Sequence, residues 1–183
     1  MRRGTGLWGA LLVLALASTG CVAAPPPPLQ PVDPEFVRTM RPVIQDDLTA
    51  TLNDQWSLPE KYGEPGWEAR LFCDVRIIEV TPMPGDGASR VGVLADCNGF
   101  GREGTELVKA SFGQVGTWIV ELDGNRVRAR DGGPDGAERG DWEKRWFTKQ
   151  ALDEIRRVDD SDWSDPAALA RRHFGLPADA PLR

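Results

Sequence analysis

Residues 68–100 read EARLFCDVRIIEVTPMPGDGASRVGVLADCNGF, two runs rich in β-branched and apolar residues on either side of the turn-forming PMPGDGAS at 82–89. This pattern predicts two strands, 68–81 and 90–100, joined as a hairpin. With the turn centred on Gly85, Cys73 falls opposite Cys97, Val75 opposite Ala95 and Ile77 opposite Val93, so one face is apolar on both strands. A cross-strand disulfide between Cys73 and Cys97 follows from that register. A metal pair or redox dithiol would call for CxxC spacing or a neighbouring histidine, and neither is present. Closing a loop of about 25 residues contributes roughly 3 kcal/mol. The same register sets Asp74 opposite Asp96, a like-charge pair, which calls either for a bulge at the turn or for a cation against the carboxylates.

Downstream, GFGREG at 99–104 spells a dinucleotide-binding fingerprint, but ELVKASF at 106–112 alternates like a strand where that motif needs a helix. A glycine-rich hairpin connection is expected instead. GTWIVEL at 116–122 and NRVRAR at 125–130 flank Asp123-Gly124, which suits a type I′ turn. Pairing about that turn sets Val120 against Val127, Trp118 against Ala129 and Glu121 against Arg126. Arg126, Arg128 and Arg130 then share the outer face as a candidate anion-binding row, since guanidinium groups engage carboxylates and phosphates bidentately. The plainer reading is a solvated strand face whose charge discourages edge pairing. Residues 131–141 and 159–165 are acidic loops. Neither matches an EF-hand, so no metal site is assigned. Residues 148–158 are expected to form a helix with Leu152 and Ile155 inward. Asp165-Pro166 caps a second helix that Gly175 ends. Trp142, Trp146, Phe147 and Trp163 anchor these C-terminal helices.

Upstream, Asp33-Pro34-Glu35 is a capped helix start. Phe36, Met40, Ile44, Leu48, Leu52 and Trp56 recur every four residues as a core-facing stripe, and Pro42 is expected to kink or break the helix near residues 39–41. The order is one amphipathic helix, about five antiparallel strands and two short helices, an α+β domain over residues 34–183. A closed β-barrel with helical ends is the alternative. A leading helix on a curved antiparallel sheet resembles the cystatin and NTF2 group of folds, on element order alone.

The chain opens with Arg2 and Arg3, the apolar run LWGALLVLALA at 7–17 and small residues before Cys21, the layout of a secretory signal over residues 1–20. The apolar run is too short to cross a bilayer as a helix, which takes about 20 residues. The stretch STGC at 18–21 resembles a bacterial lipobox, with Ser18 where that family prefers leucine. The resemblance implies cleavage before Cys21 and diacylglycerol on its thiol, an address and an anchor rather than an activity. Residues 21–33, dense in proline, then form an extended spacer, at about 3.1 Å per residue.

Removing Arg2 and Arg3 from the 22 basic residues leaves 20 against 28 acidic ones, a charge of −8 on the processed chain. That balance disfavours nucleic acid as a partner. Its preference for arginine over lysine resembles the composition of a GC-rich bacterium such as an actinobacterium. No catalytic residue is assigned: the one histidine, His173, closes a helix, and G-x-S-x-G and HExxH are absent. No cofactor is implied. The expected role is an extracytoplasmic, membrane-tethered lipoprotein that binds an envelope protein or small ligand without catalysis. An open pocket lined by Trp118 with the arginines at its rim would favour that role. A structural envelope component, or a hydrolase using Asp74 and Asp96 as paired carboxylates, are the alternatives.

Overall fold

The computed structural model describes residues 31–55, 69–84, 87–159, 163 and 165–183. Helix α1 (Pro34–Gln55) precedes strands β1 (Ala69–Pro82), β2 (Ala88–Glu103), β3 (Glu106–Asp123) and β4 (Arg126–Asp131). A 3-10 turn (Gly136–Glu138) and three short helices follow, α2 (Arg139–Trp146), α3 (Lys149–Ile155) and α4 (Pro166–His173). The strands form one open antiparallel sheet in the order β1-β2-β3-β4, so the fold is α+β and the sheet does not close into a barrel. All five predicted strand segments lie in the sheet. Two of them, 106–112 and 116–122, run end to end within β3. Between the pairs Asn98–Gly113 and Phe100–Lys109, β3 carries two more residues than β2, a bulge that keeps the long hairpin in register on both sides.

The β1–β2 register is the predicted one from Ala69–Gly101 through Ile77–Val93, with Cys73 opposite Cys97 and the two joined as a disulfide. A bulge after Ile77 shifts the ladder toward the turn. Ile78 and Glu79 consequently both serve the face covered by α3, while Val80 returns to the α1 face. Gly92, opposite Glu79, makes room there. A Cβ at that position would stand 2.6 Å from Phe147 Cε1.

Helix α1 starts as its sequence requires, with Asp33 Oδ1 accepting the Glu35 N–H. It lays Met40, Ile44, Leu48 and Leu52 on Leu71, Cys73, Val75, Val91, Val93, Ala95, Val120 and Leu122. The helix continues unbroken through Pro42, contrary to a break there. One missing N–H bond is offset by burial on both sides of the proline, each side chain contributing about 1.5–3 kcal/mol. Trp56, the last member of the predicted stripe, lies outside the described residues.

The opposite face carries two separate clusters. Phe72, Phe100 and Leu107 pack under α4, and Ile78, Leu94 and Ile119 under α3 and Phe147. Helix α2 was not anticipated, because residues 131–141 hold four glycines and read as a loop. It forms at the end of that stretch and carries Trp142 and Trp146 against the second cluster. Thr148 and Asp165 cap α3 and α4 by accepting the Ala151 and Ala167 amides.

Candidate functional site

Several residues singled out by sequence have structural employment. Cys73 and Cys97 lie buried beneath α1. His173 ends α4, exposed, with its ring against Phe72 and Phe174. Gly99 and Gly101 belong to β2, and Gly104 opens the two-residue turn into β3 with φ +60. Cys21 and the anchor lie outside the described residues, as do residues 160–162 and 164 of the second acidic loop. Several described acidic residues of the two loops hold local structure, and Asp141 pairs with Lys144. Asp131 accepts from the Gly133 amide and the Trp142 indole, and Asp165 caps α4.

The arginine row needs correction. The β3–β4 turn is centred on Gly124-Asn125, not Asp123-Gly124, so Leu122 pairs with Val127 and Asp123 with Arg126. Only Gly124 has positive φ, whereas a type I′ turn needs it at both central residues. A bulge between Val127 and Ala129 then leaves Arg128 as the extra residue and sets Arg130 opposite Val120, on the α1 face. There Arg130 donates two bonds, of 2.6 and 2.7 Å, to the Asp47 carboxylate. Arg126 and Arg128 stay exposed, but the three guanidinium groups do not form one row. Trp118 packs half-buried beside the α1 cluster, against Gly132, and does not line the cleft described next.

The cleft lies at the other edge of the sheet. It has a volume of about 340 Å3 and is lined by Val32, Val37, Arg41, Asp74, Val75, Arg76, Ile77, Glu154 and Trp163. Each lining residue has a reason to be there. Asp74 is only 2% exposed, and its carboxylate accepts from Arg41 Nη2 at 2.5 Å and from the Val75 amide at 2.9 Å. The Asp74–Asp96 pair is real, and of the two remedies it is the cation that acts on it, Arg41 on Asp74; the bulge after Ile77 lies on the turn side of the pair and leaves it opposed. Asp96 accepts from Asn98 Nδ2 at 2.8 Å. Both carboxylates are thus engaged as acceptors by donors held in the fold.

The outer pair is looser. Arg76 Nη2 stands 3.6 Å from Glu154 Oε1, and the two side chains are 37% and 42% exposed. Trp163 packs half-buried on the α3 cluster beside them, while Val32 and Val37 pack on the α1 cluster opposite. One wall is therefore apolar at Val32 and Val37 with Arg41 beside them, the other is aromatic and charged, and β1 is the floor. Asp74 and its need for a cation are legible in the sequence, and Trp163 is legible as an anchor of the C-terminal helices, but nothing in the sequence signals Arg41, 33 residues away on the helix, or Glu154.

Among the described residues no group of three or more histidine, cysteine or carboxylate side chains could hold a metal ion, and no helix is long and apolar enough to cross a membrane. No protein family matches this chain, and no curated protein or solved structure does so either.

Proposed function

We propose that this chain is an extracytoplasmic lipoprotein, anchored through Cys21, whose folded part binds an envelope protein or small ligand without catalysis. The cleft at the β1 edge carries this reading. Its volume of about 340 Å3 falls in the range of ligand pockets, roughly 300–1,000 Å3. Its charged groups are mutually paired, which suits recognition of a polar ligand rather than proton transfer. The disulfide supports an oxidising compartment, since such bonds persist outside the cytosol, and the acidic balance supports a partner other than nucleic acid.

Two measurements test the reading. Fatty-acid labelling of the full-length chain in a bacterial host is expected to be lost in Cys21→Ala, which leaves the membrane fraction; unchanged labelling overturns the anchor. A photo-crosslinking residue at Glu154, half-exposed at the cleft mouth, is expected to give an adduct in solubilised membranes that Val37→Trp, which fills the cleft, abolishes. An adduct insensitive to that substitution removes the cleft from the function.

A further inference from the structure

The main chain along the cleft floor points to the chemistry of the occupant. Among the described residues β1 is an edge strand, paired on one side only. On its free side α1 acts as a substitute strand for the first half. Asn53 Nδ2 donates to the Leu71 carbonyl at 2.9 Å and Asn53 Oδ1 accepts the Leu71 amide at 2.8 Å. Thr49 Oγ1 accepts the Cys73 amide at 3.3 Å, and Asp74 Oδ1 the Val75 amide at 2.9 Å. Leu71, Cys73 and Val75 thus direct their main-chain groups away from β2. Strand alternation turns those of Ile77 the same way, before the bulge that follows it. Val75 and Ile77 are the two strand residues of this parity that line the cleft. The helix side chains seal the edge as far as Cys73, the strand's own Asp74 takes the Val75 amide, and the cleft begins there.

We propose that the cleft takes an extended peptide segment of a partner protein as an added strand along β1 at residues 75–77. In that geometry alternate side chains of the segment meet Val32 and Val37 on one wall, and Trp163 with the Arg76–Glu154 pair on the other. Strand addition draws affinity from main-chain bonds and specificity from pockets for alternate side chains, and the two faces of this edge offer different walls, Val32 and Val37 on one and Trp163 with Glu154 on the other. A segment alternating apolar with charged residues fits both. A second copy of this chain fits less well, because its own β1 edge arrives with α1 already bonded along it. The inference rests on the cleft being the binding site proposed above and specifies its ligand.

The test uses the full-length chain in detergent micelles and blocked six-residue peptides that alternate valine with lysine, glutamate, arginine or glutamine. At least one charged peptide is expected to bind with a Kd below about 1 mM and to slow hydrogen exchange at the Ile77 amide. It is then made in two N-methylated forms, one methylated at the valine amides and one at the amides between them. Only one set of amides can face β1, so one form is expected to bind about tenfold or more weakly and the other like the parent. Equal binding by both forms overturns strand addition while leaving the cleft as a binding site. Failure of every peptide to bind overturns the inference, and the crosslinking experiment then decides separately whether the cleft binds anything. Sedimentation showing a dimer that Val37→Trp dissociates assigns the edge to a second copy, and overturns it as well.

Discussion

The two edges of the sheet avoid unwanted pairing in different ways. β4 is six residues long, bulged, and carries Arg126, Arg128 and Arg130; shortness, distortion and charge make it a poor template for another strand. β1 is 14 residues long and apolar over most of its length. It is protected by α1, whose Asn53 and Thr49 side chains occupy the main-chain groups another strand would use. The difference shows that a defence built into a strand's own residues closes the whole edge. A defence supplied by a neighbouring helix ends where the helix side chains stop reaching, and the cleft sits at that end of β1.

Substitutions along the two edges should therefore differ in cost. The largest effect is expected at the inner end of the cleft. Arg41→Met leaves Asp74 buried without its guanidinium partner, a loss of about 3 kcal/mol, read as a lower denaturant midpoint. Replacing both residues, Arg41→Met with Asp74→Asn, should recover part of it, and a double variant as unstable as the single one would contradict the pairing argument.

Next comes Asn53→Ala, which strips the Leu71 amide and carbonyl of their helix partners and is expected to cost about 2 kcal/mol. Amide exchange at Leu71 should accelerate more than at Val93 in the sheet centre; uniform acceleration would mean that the helix does not guard this edge locally. At the other edge, Asp47→Ala removes the partner of Arg130. Those side chains are 23% and 33% exposed, so the cost should stay within about 1 kcal/mol. A loss as large as that of Asn53→Ala would make β4 depend on α1 as β1 does.

A control on neither edge should move least. Hydrogen bonding from Lys149, aided by its charge and those of Arg156 and Arg157, holds the Asp153 carboxyl below its usual value of 3.8. Because the folded state lowers this value, its contribution to stability is present above pH 3.8 and is lost as pH falls through the folded-state value. Wild-type and Asp153→Asn chains should thus converge in melting temperature below that range, with only a small gap near neutrality.

Much of the fold was legible along the chain. Period-two alternation and the turn at 82–89 were enough to bring Cys73 to Cys97. The period-four stripe from Phe36 to Leu52 named the face of α1, and Asp165-Pro166 marked the start of α4. These signals are local, or depend on one turn, so few alternatives compete. The β3–β4 pairing was not legible, because choosing between Asp123-Gly124 and Gly124-Asn125 as the turn moves every pair by two residues. The bulge at Arg128 that then sends Arg130 to Asp47 is decided by how Val127 and α1 pack.

The site divides along the same line. The sequence by itself determined that Asp74 stands opposite Asp96 and needs relief, because strand register follows from pattern and turn. Only the tertiary structure decided that Arg41 supplies that relief and that Val37, Glu154 and Trp163 wall the space beside it. Those residues come from α1, α3 and the segment after α3, and they meet only because separate apolar clusters pin the helices to opposite faces of one strand edge. Side chains brought together by packing leave no periodicity in the chain, since what joins them is distance in space and not spacing in sequence.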